Sequence, residues 1–228
     1  DHDVPRGRKH AKRALEVARS YDLVDLLPRS LLAQVANLHL DGTLELPVGR
    51  ALWKEGLDAT ERYGDLYARF KLASNLGAFF LDVGDVDQAG RFLGIADRLL
   101  DGIDLGSGSA HHHFNQADLA KQLGDFDVAE MIAKKVQRAT ENGAWYGWAL
   151  VYAVLGRCAL ETGQMSAAIG YAEQLDAAWP SGTMPLFDLA LTTVFRARLM
   201  AARGCMGGAL DLMQDVETTL ERINIPQF

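Results

Sequence analysis

The run "HHHFN" at 111–115 holds the side chains that most suggest chemistry, because imidazoles bind zinc and move protons. Their spacing works against it. Consecutive residues of a helix point about 100° apart, so His111, His112 and His113 do not converge on one ion. No second His or Cys stands four residues from any of them, the spacing that zinc-binding helices use. His111 is left with a polar role near a binding surface, and the other two with packing or surface exposure. His2, His10 and His39 form no constellation. The acid pairs Asp85/Asp87 and Asp125/Asp127 stand where helices begin by pattern, so capping and the helix dipole account for them. Cys158 and Cys205 fall within helical patterns without ligand spacing and read as buried thiols. There is no phosphate-cradling glycine loop, no nucleophile elbow and no paired-histidine zinc motif. The expectation is a protein with no catalytic residues, no metal and no cofactor.

The elements that would position a binding surface follow from composition and repeats. Hydrophobic residues make up 49% of the 228 residues, enough for a substantial core. A formal net charge of −7 argues against a general grip on nucleic acid, which needs a concentrated basic surface. Arg6, Arg8, Lys9, Lys12 and Arg13 are a local exception, and without interleaved aromatics they read as a solvated helix face. No apolar run approaches the roughly 18 residues of a membrane span and no signal peptide is evident, so a cytoplasmic protein is expected. The chain begins without methionine, at Asp1, and reads as a piece of a longer protein.

One phrase recurs: "GDVDQA" from Gly84, "GDFDVA" from Gly124, "GQMSAA" from Gly163 and "GCMGGA" from Gly204, at spacings of 40, 39 and 41 residues. Apolar periodicity predicts a first helix before each glycine: Leu66 to Val83, Ala110 to Leu123, Ala144 to Thr162 and Pro185 to Arg203. A second helix follows each: Val86 to Leu100, Phe126 to Ala139, Met165 to Ala178 and Met206 to Arg222. The glycine supplies the left-handed turn, and the alanine five residues on lets the second helix pack closely. A fainter hairpin joins Ser30 to Leu40 with Val48 to Tyr63, and Arg8 to Leu26 reads as the second half of another.

These residues resemble the tetratricopeptide repeat. Leu76, Gly77, Phe80, Gly84, Ala89 and Ala96 fit that family's pattern, as do Leu155, Gly156, Gly163 and Ala168. The period near 40 exceeds the family's usual value of about 34, and most copies lack the closing proline. The long variant is similar to helical regions of large bacterial regulators, the maltose-activator-type members of the LuxR class. The resemblance implies an all-α fold: a right-handed superhelix of antiparallel helical hairpins, one domain over 1–228, with about five hairpins after an N-terminal partial one. It also implies that first-helix side chains face a concave groove. Counted from the turn glycines, these are Lys71, Ser74 and Asn75; His111, Phe114, Asn115, Asp118, Lys121 and Gln122; Arg157 and Glu161; and Phe195 and Arg198. Asn75 and Asn115 occupy one repeat position, and Asp118, Arg157 and Arg198 another. Asparagine amides can hold the main chain of an extended peptide, and arginine can fork onto a carboxylate. The aligned polar residues could equally pair with each other, Asp118 with Arg157 for instance.

The expected function is a non-catalytic scaffold whose groove binds a protein or peptide segment, from another chain or another domain of its own. The alternative is an effector-sensing and oligomerisation domain of a bacterial transcription or signalling regulator. Direct nucleic-acid contact and membrane insertion are not expected. Open apolar faces at the two ends of the stack invite a homodimer. Trp53, Trp145, Trp148 and Trp179 read mainly as core between repeats, with a few able to anchor a guest.

Overall fold

A residue that ends one helix and reverses the chain must take up a left-handed backbone, and glycine does so without steric cost. In the computed structural model, which describes residues 4–40, 46–103, 109–140, 150–178 and 186–222, Gly84, Gly124, Gly163 and Gly204 have φ of 75°, 84°, 75° and 82°. At each, two hydrogen bonds close the preceding helix. The glycine N–H donates three residues back and the following N–H five residues back: at Gly84, to Leu81 at 3.1 Å, with Asp85 to Phe80 at 2.9 Å. The same pair recurs at Gly124, Gly163 and Gly204. Ala89, Ala129, Ala168 and Ala209, five residues after those glycines, are all buried. The elbow read from the sequence therefore has a specific hydrogen-bonded form.

The helices run α1 Val4–Ser20, α2 Leu27–Leu40, α3 Leu46–Tyr63, α4 Leu66–Asp82, α5 Val86–Leu100, α6 Ala110–Gln122, α7 Phe126–Thr140, α8 Leu150–Glu161, α9 Met165–Ala178, α10 Leu186–Ala202 and α11 Met206–Arg222. Among the described residues there is no strand, and no helix is long and apolar enough to cross a membrane. Asp65 caps α4 by accepting from the Ala68 N–H at 2.9 Å, and Asp85 caps α5 by accepting from the Gln88 N–H at 3.1 Å.

The chain packs as two compact units, Asp1–Leu105 and Gly106–Gln227. In the first, α1 packs on α2, α2 on α3 and α4, and α4 on α5. Its core centres on Trp53, fully buried with its ring centroid 4.8 Å from that of Phe79. In the second, α6/α7, α8/α9 and α10/α11 form antiparallel hairpins, and α7 packs on α8. One apolar cluster joins α6, α7 and α8 through Ala117, Ala133, Val151 and Val154, and another joins α8, α9 and α10 through Ala159, Leu175, Phe195 and Leu199. First helices of successive hairpins also touch, α2 with α4, α6 with α8 and α8 with α10. This is the stacking of a helical solenoid.

Boundaries of the first two helices and one cysteine differ from the sequence reading. The first helix ends at Ser20 rather than continuing to Leu26. Asp22 adopts the left-handed conformation, with φ of 49°, and the Leu23 N–H donates to the Ala18 carbonyl at 2.9 Å, so an aspartate fills the role glycine has elsewhere. The second helix begins at Leu27 rather than Ser30. Residues 144–149 of the expected helix before Gly163 lie outside the described residues, as do Trp145, Trp148 and Trp179. Cys158 is buried as expected, but Cys205 is exposed, because its place in the Gly204 turn lies outside the packed stripe.

Candidate functional site

The candidate groove residues separate by unit. Lys71, Ser74 and Asn75 lie on α4 of the first unit. Ser74 is buried and Asn75 half-buried. The Lys71 ammonium stands 5.6 Å and 5.8 Å from the ring centroids of Phe70 and Tyr67, a cation–π arrangement. Burial lowers its pKa.

The other ten lie on α6, α8 and α10 of the second unit, and the fold draws five of them to one place. Phe114, Asp118 and Lys121 of α6, Arg157 of α8 and Phe195 of α10 line a pocket of about 100 Å³. Leu150, Ala153, Val154, Leu191 and Val194 complete it. Counting polar positions misses these five, although Ala153 and Val154 stand one helical turn before Arg157 and Leu191 one turn before Phe195. The lining is mostly aliphatic and aromatic, with Asp118, Lys121 and Arg157 as its charged members. A single apolar cavity of roughly 150 Å³ holds benzene, so this space suits one aliphatic side chain.

The charged side chains pair mainly within their own helices. Lys121 and Gln122 both donate to Asp118, Gln122 at 2.9 Å. Arg157 donates through Nε to Glu161 Oε1 at 2.6 Å. The pairing of Asp118 with Arg157 is therefore replaced by i,i+3 and i,i+4 contacts, which need no precise approach of neighbouring hairpins. Arg198 of α10 reaches across to the preceding hairpin, its guanidinium standing 3.3 Å from the same Glu161 Oε1. Two guanidiniums thus share one carboxylate. Burial and the adjacent Arg157 charge lower the Arg198 pKa, against the opposing pull of Glu161. With Asp118 neutralised by Lys121, the row carries one excess positive charge.

Asn115 is only 4% exposed, so it offers a guest little surface, and its amide nitrogen has no hydrogen-bond partner. His111 is half-buried, His112 is buried in the core, and His113 is hydrogen-bonded to Gln116 at 2.9 Å. Among the described residues no group of three His, Cys, Asp or Glu side chains is placed to hold a metal ion. Burial pushes the Cys158 thiol up to about 11, the state of an inert core residue. Tyr152 and Tyr171 stack at 6.5 Å between α8 and α9 and belong to the packing of that hairpin.

No family model matches the chain, and no curated protein matches it in sequence. Among solved structures its fold is similar to that in the crystal structure of BtubC (BKLC) from P. vanneervenii, with a TM-score of 0.64 and 20% identity, over 100% of this chain and 95% of that one. At that identity the likeness concerns the fold alone.

Proposed function

We propose that this chain is a non-catalytic scaffold built from long tetratricopeptide-type repeats, and that the α6/α8/α10 wall of its second unit binds a peptide or protein segment in the cytoplasm. The observation that carries this reading is the pocket itself: a mostly apolar space the size of one aliphatic side chain, beside two arginines that share a single carboxylate. Such a surface fits a segment with an aliphatic residue next to an Asp or Glu. The aliphatic group leaves water for the pocket, and the carboxylate meets the excess positive charge at Arg157 and Arg198.

The test is to pan a displayed library of random peptides against the protein and titrate the enriched peptides into wild type, Arg157→Ala and Ala153→Phe. The expected peptides combine an aliphatic and an acidic residue, and Arg157→Ala weakens them about tenfold, or ~1.4 kcal/mol. Ala153→Phe fills the pocket and should remove binding. Peptides that bind all three proteins equally would place the surface elsewhere. An effector-sensing role differs in requiring a change of shape on binding, and small-angle scattering with and without the enriched peptide separates the two.

A further inference from the structure

Places counted from the turn glycines allow the second helices of different hairpins to be compared. On α9 the residues two, six and nine places after the turn glycine Gly163 are Met165, Ile169 and Ala172, and all three pack against the apolar cluster that joins α8, α9 and α10. On α11 the same places after Gly204 are Met206, Leu210 and Met213, spaced i, i+4 and i+7 on one stripe. That stripe is open: Leu210 is 63% and Met206 57% exposed, and Met213 is exposed as well. Three large apolar side chains on one helix face mark a docking surface.

At the other end of the element order, α1 packs on α2 through Ala11, Leu15 and Ala18. Beside those three, α1 carries exposed Ala14 and half-buried Val17, and Tyr21, 74% exposed, follows in the turn with exposed Leu23 and Leu26. The two helices have opposite charge. Six basic residues and one acid lie on α1, with Arg6, Arg8, Lys9, Lys12 and Arg13 exposed before the first acid, Glu16. On α11 lie Asp211, Asp215, Glu217 and Glu221, all exposed, and one basic residue, Arg222.

We propose that copies of this chain associate head to tail, with the α11 stripe of one seated on the outer face of α1 of the next. Pairing α11 with α11 would set acids against acids, and α1 with α1 bases against bases, so charge disfavours both symmetric contacts. The heterologous contact joins opposite charges around an apolar strip on each side. A contact of this kind propagates unless a rotation closes it into a ring.

Sedimentation velocity of the 228-residue chain tests this with two variants, Leu210→Glu and Tyr21→Glu. Both residues are exposed, and unchanged circular dichroism confirms that the fold is kept. Wild type should associate by ~100 µM, the weak end of specific contacts. Raising ionic strength from about 0.1 M to about 1 M, which shortens the Debye length from about 10 Å to about 3 Å, should weaken association by at least ~5-fold. Each variant alone should be monomeric. Mixed in equal amounts they should form a heterodimer that grows no further, since one retains an intact α1 face and the other an intact α11 stripe. Met213→Glu and Leu26→Glu repeat the experiment should either first variant lose helicity. A monomeric wild type, self-association of Leu210→Glu at the wild-type level, or a mixture that stays monomeric would overturn the proposal.

Discussion

Gly156 sits in the middle of α8, where alanine would raise helix propensity, and Phe195 of α10 occupies the space its side chain would need. A Cβ built there would stand 2.1 Å, 2.6 Å and 2.8 Å from Cζ, Cε2 and Cε1 of that ring, whereas ordinary contact begins at 3.4 Å. Gly156→Ala therefore requires the ring to move by more than an ångström, and Phe195 is only 3% exposed. Overpacking of this kind costs about 1–3 kcal/mol. The alanine gains about 1 kcal/mol of helix propensity in return. With the ring enclosed on α10, the upper part of the range applies, and the expected net loss is ~2 kcal/mol. For a unit of this size that lowers the unfolding midpoint by roughly 4–12 °C, measured by circular dichroism. Gly170→Ala on α9 is the control: its Cβ would meet nothing within 4 Å, so only the propensity gain remains. Shortening the ring in the double variant Gly156→Ala/Phe195→Leu should recover part of the loss, with a coupling of at least ~0.5 kcal/mol. A Gly156→Ala protein as stable as wild type, or a strictly additive double variant, would refute the packing argument.

Two further outcomes rest on single groups. Burial raises the Asp65 pKa, but the Ala68 N–H and Arg29 outweigh it and hold the carboxyl below its usual 3.8. Stability from such a group is present above the unfolded pKa and lost as pH falls through the folded one. Asp65→Ala should therefore cost ~1 kcal/mol at neutral pH and almost nothing near pH 2, by urea unfolding at a series of pH values. Added salt should change this little, because Arg29 is largely exposed while the cap hydrogen bond is not; a cost independent of pH would refute the assignment. In a thiol-reagent titration at about pH 8, native protein should react rapidly at exposed Cys205 alone, and Cys158 only after denaturant is added. Rapid reaction of both thiols in the native state would contradict the burial of α8.

What the sequence made legible was whatever a local rule enforces. Four of the five glycines with a positive φ stand at a near-constant spacing, so the described ends of the hairpins they close could be placed to within a residue or two. The same rule explains the miss at the end of α1, where Asp22 takes the left-handed conformation that periodicity alone does not announce. Ion pairing went the same way. Asp118 and Arg157 align between repeats, yet each has a partner three or four residues away on its own helix, and the local contact costs less order than one between hairpins. The division after Leu105 falls within "DGIDLGSGS", which reads like any other turn between hairpins.

The candidate site shows how far repeat position alone can mislead. Gly77 and Gly156 hold the same place in their hairpins, and both make room for a side chain, but Gly77 receives Leu93 of its own hairpin and Gly156 receives Phe195 of the next. One position thus tightens a hairpin in the first unit and fixes the spacing between hairpins in the second. Phe195 then has two roles at once, since the ring admitted by Gly156 is also a wall of the pocket. Any change that displaces it alters stability and pocket shape together. Stability and peptide affinity should consequently fall in parallel for Gly156→Ala, whereas Arg157→Ala should lower affinity while leaving the unfolding midpoint nearly unchanged.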